Sequence, residues 1–200
     1  QVKPLLKMIW RNLNQLKTFK IYVMLNLLLP GQSTKNIPEL ESIASTLLAK
    51  GYSVYAHRWE HWDNEKVSFQ IDKEVKRILS AVKDESEITI IAKSIGTITS
   101  LKLIQILKDK VKKVIFLGIP CGGSFEKTKE LFKECFQNNK TPLFIIQNNK
   151  DPYGPPEKVR ELLGALKYEL IIKETNDHRY NYPEEILELL SMNKTLNPKF

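Results

Sequence analysis

Two cysteines in 200 residues, Cys121 and Cys135, are too few and too far apart for a disulfide framework or a metal cluster. No apolar run approaches the roughly 18 residues needed to suggest a membrane-spanning helix. The longest, residues 21–29, has the length of a strand and is stopped by Pro30 and Gly31. Internal repeats, low-complexity tracts and a signal-peptide layout are also missing, and with so little cysteine a reducing cytoplasm is the expected location. Histidine is scarce too, at positions 57, 61 and 178. His57 and His61 are four apart, but RWEHW reads as a loop and not as the helix that would converge them on a metal. No metal and no cofactor are expected.

What is present is an ordinary globular composition with a positive excess. Hydrophobic residues make up 42%, enough for a sizeable core, and the length favours one domain over residues 1–200. The net charge of +8 raises the question of nucleic acid. The lysines are spread over most predicted helices and loops with no aromatic-basic alternation, so a solvated basic surface is the reading and no nucleic-acid partner is expected. Residues 3–20 place Leu5, Leu6, Ile9, Leu13 and Leu16 along one face of an amphipathic helix. That helix either packs on its own domain, as such helices commonly do, or lies on a membrane surface.

From residue 21 to 192 the hydrophobic pattern alternates between strand and helix. Apolar runs at 21–29, 53–57, 88–91, 113–118, 142–147 and 168–173 read as six strands. Helical periodicity fills residues 38–50, 67–82, 98–107, 126–137, 157–166 and 184–192. This alternation predicts an α/β fold, a three-layer α/β/α domain around a mostly parallel, doubly wound sheet of about six strands. No lid domain or linker interrupts it.

Ligands of such sheets bind at the carboxyl ends of the strands, where strand order reverses. The third strand ends in AKSIG, with Ser94 between the small residues Ala92 and Gly96, immediately before a helix. A serine on a sharp strand-to-helix turn, with small neighbours on either side, has its hydroxyl pushed clear of the sheet. Asp151 follows the fifth strand in NNKDPYGPP and His178 follows the sixth in NDHRY. Each also has an ordinary reading, as a buried turn serine, an Asp-Pro turn and a loop histidine. The order Ser, Asp, His at one sheet edge is that of a serine nucleophile with its acid and base.

With these motifs the chain resembles the compact, lidless α/β-hydrolases, similar to the dienelactone-hydrolase-like and retinoblastoma-binding-protein-9-like small serine hydrolases. The resemblance covers residues 21–192 and departs from the family pattern in two places. Ala92 stands where the usual G-x-S-x-G motif has glycine, and Pro30-Gly31-Gln32 stands where His-Gly is more common. It implies a serine hydrolase of small esters, thioesters or related acyl bonds, with Ser94, Asp151 and His178 catalytic and the amides of Ile95 and Gln32 as oxyanion hole. A small acyl compound is the expected substrate, and Trp59, His61, Trp62, Cys121 and Tyr153 in the loops of the same edge are expected to line its pocket. The alternative is a non-catalytic binding protein on the same scaffold, because fold alone does not choose a function.

Overall fold

The computed structural model describes residues 24–192. The predicted N-terminal helix lies outside them, as do the first residues of the predicted opening strand. Six strands form one sheet: β1 (Leu25–Leu29), β2 (Ser53–Ala56), β3 (Ile88–Lys93), β4 (Val111–Leu117), β5 (Leu143–Asn148) and β6 (Glu169–Lys173). All pairs are parallel, in the order β2-β1-β3-β4-β5-β6. The order reverses between β1 and β3, which puts the switch point beside Ser94. The central strands β1, β3 and β5 are buried along their whole length, as a parallel sheet covered on both faces requires.

Seven helices among the described residues supply the covering layers: α1 (Ile37–Ala49), α2 (Glu60–Asp63), α3 (Ile71–Ala81), α4 (Ile95–Leu107), α5 (Phe125–Phe136), α6 (Pro156–Leu163) and α7 (Pro183–Ser191). On one face α1 packs with α7; on the other α3, α4, α5 and α6 pack in series. Among the described residues no helix is long and apolar enough to cross a membrane.

Three of the boundaries that differ from the sequence pattern have an evident physical reason. The predicted loop RWEHW runs into the single-turn helix α2, whose first amide, Glu60 N, donates to the Glu74 carboxylate at 2.8 Å. Helix α3 starts at Ile71 and not at residue 67, because Phe69 turns inward to pack edge-on against Trp59 and His61. Helix α6 stops at Leu163, short of the predicted 166, where the chain goes left-handed at Gly164.

Helix α4 approaches the end of β1 closely at Gly96. A Cβ on Gly96 would lie 2.4 Å from Leu29 O and 2.9 Å from Pro30 O, both backbone atoms with no freedom to step aside. Only glycine lets the first turn of α4 sit against β1 there, and that contact sets how near Ser94 comes to the first-strand loop. Gly96→Ala is expected to destabilise the domain by about 1–3 kcal/mol, the usual cost of overpacking a filled site. Urea denaturation monitors it, and an unchanged midpoint would show that the loop yields freely.

Candidate active site

Ser94 joins β3 to α4 with φ 52° and ψ −120°, a left-handed backbone for a residue with a side chain. Lys108 adopts nearly the same angles at the far end of α4, so the strain alone does not single out the serine. Its location does, since Ser94 sits on the carboxyl edge of the sheet at the switch point. The turn is fixed from both sides. Ser94 N donates to Leu117 O of β4 at 3.0 Å, while Thr97 donates to Ser94 O through its amide at 2.8 Å and its hydroxyl at 2.7 Å. Ile95 opens the 13-residue α4, and the first amides of a helix have no intrahelical acceptor, so its N–H is available at the positive end of the dipole.

Asp151 lies beyond β5 with 2% of its surface exposed, and it is surrounded by donors. Its Oδ2 accepts from His178 Nδ1 at 2.7 Å, from the Tyr180 hydroxyl at 2.5 Å and from Gln147 Nε2 at 3.3 Å, and its Oδ1 accepts from Tyr153 N at 2.8 Å. Burial pushes the carboxyl upward, but the bonds from His178, Tyr180 and the Tyr153 amide outweigh it and hold Asp151 below the ordinary carboxylate value. Tyr180 is wholly buried, and burial together with the Asp151 charge drives its phenol well above the usual range, so it stays a donor. Its ring occupies the space beside Gly118, at φ 62°, where a Cβ would come 2.2 Å from the ring edge.

The loop carrying His178 is tied to β5 on both sides. Asn148 Nδ2 donates to Asp177 O and to Arg179 O, each at 2.9 Å. With Nδ1 donating to the carboxylate, the neutral ring carries its lone pair on Nε2. That nitrogen is buried and has no hydrogen-bond partner among the described residues; Ser94 Oγ is not bonded to it in this resting geometry.

Beneath Ser94 lies a group the sequence pattern does not single out. Lys93 is 6% exposed, and its Nζ donates to Glu39 Oε2 at 2.8 Å and to Asn36 Oδ1 at 2.5 Å. The other oxygen of Glu39 accepts from Tyr180 N at 3.0 Å. Lysine inside an otherwise apolar strand is the one available signal, because buried lysines need a partner. Tyr180, Asn148 and Gln147 carry no comparable mark.

The expected pocket residues divide into two groups. Tyr153 and Cys121 lie with Asp151 and His178. The Tyr153 ring is 62% exposed, with its centroid 4.7 Å from that of His178, and Cys121 N donates to Tyr153 O at 2.8 Å. Burial, helped by the Asp151 charge, pushes the Cys121 thiol up to about 11. Trp59, His61 and Trp62 instead grip the first-strand loop from the β2 side. Trp59 Nε1 donates to Gly31 O at 2.9 Å, and Trp62 Nε1 and His61 Nε2 donate to Gln32 O at 2.6 and 2.9 Å. The expectation of substrate contact is corrected for Trp59, which is fully buried and has no surface to offer. The remaining histidine, His57, is also buried and is held by Glu74 at 2.8 Å; burial lowers its pKa and keeps the ring neutral.

No curated protein matches the chain in sequence. Among solved structures it is similar to an α/β serine hydrolase homologue from Coxiella burnetii, with TM-score 0.64 and 18% identity over 84% of this chain and 83% of that one. It is also similar to Est1E from Butyrivibrio proteoclasticus, solved with ferulic acid bound, with TM-score 0.65 and 13% identity over 88% and 93% of the two chains. Mouse α/β hydrolase domain-containing protein 10 gives TM-score 0.61 and 15% identity over 83% and 86%. At these identities the likeness is one of fold. A family model described as an alpha/beta hydrolase domain matches residues 37–189, most of the chain, and with the sheet order and strand-to-helix turn described above it establishes that the chain belongs to the α/β-hydrolase family.

Proposed function

We propose that the protein is a serine hydrolase that cleaves a small ester, thioester or related acyl bond through an acyl-enzyme. The observation that carries this reading is His178, whose Nδ1 is tied to a buried carboxylate at 2.7 Å while its Nε2 is enclosed and unpaired among the described residues, at the same edge as Ser94. A ring held in that tautomer is a base waiting for a proton.

Ser94 Oγ attacks the acyl carbonyl and gives its proton to His178 Nε2. Asp151 keeps the ring oriented and stabilises the imidazolium without itself taking the proton. The oxygen of the tetrahedral intermediate is held by the N–H of Ile95 and the N–H of Gln32. Collapse passes the proton from His178 to the leaving group, and water then enters by the same route to release the acid. Contacts of this kind are often long without substrate and tighten when it binds, which accounts for the open Ser94–His178 pair. The exposed Tyr153 ring beside His178 supports an acyl or aromatic group packing there. The chemistry uses only the chain's own residues and water.

A fluorophosphonate probe is expected to label Ser94, and Ser94→Ala or His178→Ala to lower ester turnover by about 10⁴-fold or more. A folded sample that several such probes leave unlabelled would leave only a binding role for this scaffold.

The Asp151 environment gives a second expectation. Because its native pKa is depressed, the stability it contributes is fully present above the ordinary value near ~3.9 and is lost as pH falls through the native value. A carbon-detected titration of the Asp151 carboxyl should place its midpoint below ~3.9. Tyr180→Phe should raise that midpoint and cost about 1–3 kcal/mol, because it removes one donor from a buried charge and the acceptor of Asn148 N. A midpoint that does not move in Tyr180→Phe contradicts the account.

A further inference from the structure

The first-strand loop offers few amides to an oxyanion, and peptide geometry picks out the first one after β1 that turns toward Ser94. Leu29 O and Pro30 O both lie against Gly96, so both carbonyls face α4. In a trans peptide the N–H points opposite to the C=O, and the described peptide bonds are all trans. Gly31 N–H, which shares its peptide with Pro30 O, therefore points away from α4, and Pro30 has no N–H at all. The next peptide is Gly31-Gln32. Its carbonyl accepts from Trp59 Nε1 at 2.9 Å. Trp59 follows β2, and the order β2-β1-β3 puts β2 and the strand of Ser94 on opposite sides of β1. A carbonyl drawn toward the β2 side turns the Gln32 N–H toward the β3 side.

The indole that draws it is itself immovable. Trp59 is fully buried, with its ring centroid 4.8 Å from His57 and 5.1 Å from Phe69, both edge-on. His57 is anchored on Glu74, whose carboxylate also binds Arg77 and the Glu60 amide. A buried indole N–H needs an acceptor, and the Gly31 carbonyl is the one this cluster provides. On the far side of Gln32, its own carbonyl is held by Trp62 and His61. Both peptides flanking Gln32 are thus fixed, although its residue surface is exposed.

We propose that Trp59 is a positioning residue for the reaction: by holding the Gly31 carbonyl toward β2, its indole N–H aims the Gln32 N–H at the oxyanion formed on a substrate bound to Ser94. The catalytic part of this assignment rests on the hydrolase reading above. The aiming of the amide is a property of the free protein and does not depend on turnover.

The test is Trp59→Phe, which keeps an aromatic ring and deletes the donor, studied by residual dipolar couplings and by ester kinetics. The Gln32 N–H coupling is expected to change while those of the sheet stay at their wild-type values. In the same variant kcat should fall about 10- to 100-fold, below the effect of deleting a whole oxyanion donor, with KM within about 3-fold. Affinity for a trifluoromethyl ketone, which forms the tetrahedral adduct, should fall in parallel with kcat/KM. A packing defect alone would move the sheet couplings and the melting temperature without this split between kcat and KM. If Trp59→Phe does not fold, Trp59→benzothienylalanine puts sulfur in place of the N–H with the ring shape kept and carries the same expectations. A wild-type Gln32 coupling in the folded variant, or a changed coupling with wild-type kcat, overturns the proposal. If the wild-type protein neither takes a fluorophosphonate nor cleaves esters and the Gln32 coupling still moves, the hydrolase reading fails and the aiming of Gln32 by Trp59 stands.

Discussion

A carboxylate with 2% of its surface exposed is tenable only if it is surrounded by donors, and the site takes its shape from that need at Asp151. The donors come from three places in the chain: Gln147 on β5, the Tyr153 amide in the turn that follows, and His178 and Tyr180 beyond β6. Each brings a further requirement. Tyr180 can reach Asp151 because Gly118 leaves room for its ring, and its backbone amide is then satisfied by Glu39 from α1. Glu39 in turn is paired with Lys93, the residue before Ser94. A continuous set of polar contacts therefore runs from Asp151, through Tyr180 beside His178, to the turn that carries Ser94.

The Lys93–Glu39 pair is the expensive step in that series. Its side chains are 7% and 12% exposed, so both charges give up most of their hydration. Buried pairs of this kind seldom stabilise a fold more than well-packed apolar residues of similar size would. Their value is geometric. Lys93 contacts Asn36 as well as Glu39, and Asn36 Nδ2 donates to Ser33 O in the first-strand loop at 2.7 Å. One ammonium group thus joins the serine turn, the loop that supplies the Gln32 amide and the segment that carries His178.

The fold is legible in the sequence wherever burial is uniform. Strands covered on both faces read as unbroken apolar runs, the helices between them show their period, and the alternation leaves a wound parallel sheet as the economical arrangement. Ser94, Asp151 and His178 are legible for a related reason: the carboxyl ends of parallel strands all reach one edge, so chain order alone brings loop residues there. The roles of Trp59, Tyr180 and Lys93 are not legible. They depend on which loops meet across that edge, which is set by strand order and by close approaches such as that at Gly96. Two tryptophans after a strand look like pocket walls in a one-dimensional pattern, and a four-residue helix such as α2 is too short to show a period. Only the position of β2 outside β1 turns Trp59 into a clamp on the neighbouring loop.

That clamp also bears on the departure from His-Gly at Pro30-Gly31-Gln32. An amide that stabilises developing charge is useful only if it is already aimed when the charge appears, because turning it during the reaction costs part of what it returns. Gln32 is exposed, and a loop containing glycine has no stiffness of its own. The stiffness comes instead from the segment after β2, where three ring N–H groups are engaged by two successive carbonyls of the loop. These donors can fix the loop because they are anchored elsewhere, by the His57 and Glu74 contacts under α2 and by Phe69 at the entry to α3. The unusual loop sequence and the aromatic-rich segment beside it are therefore one arrangement, in which the rigidity one segment lacks is supplied by the packing of the other.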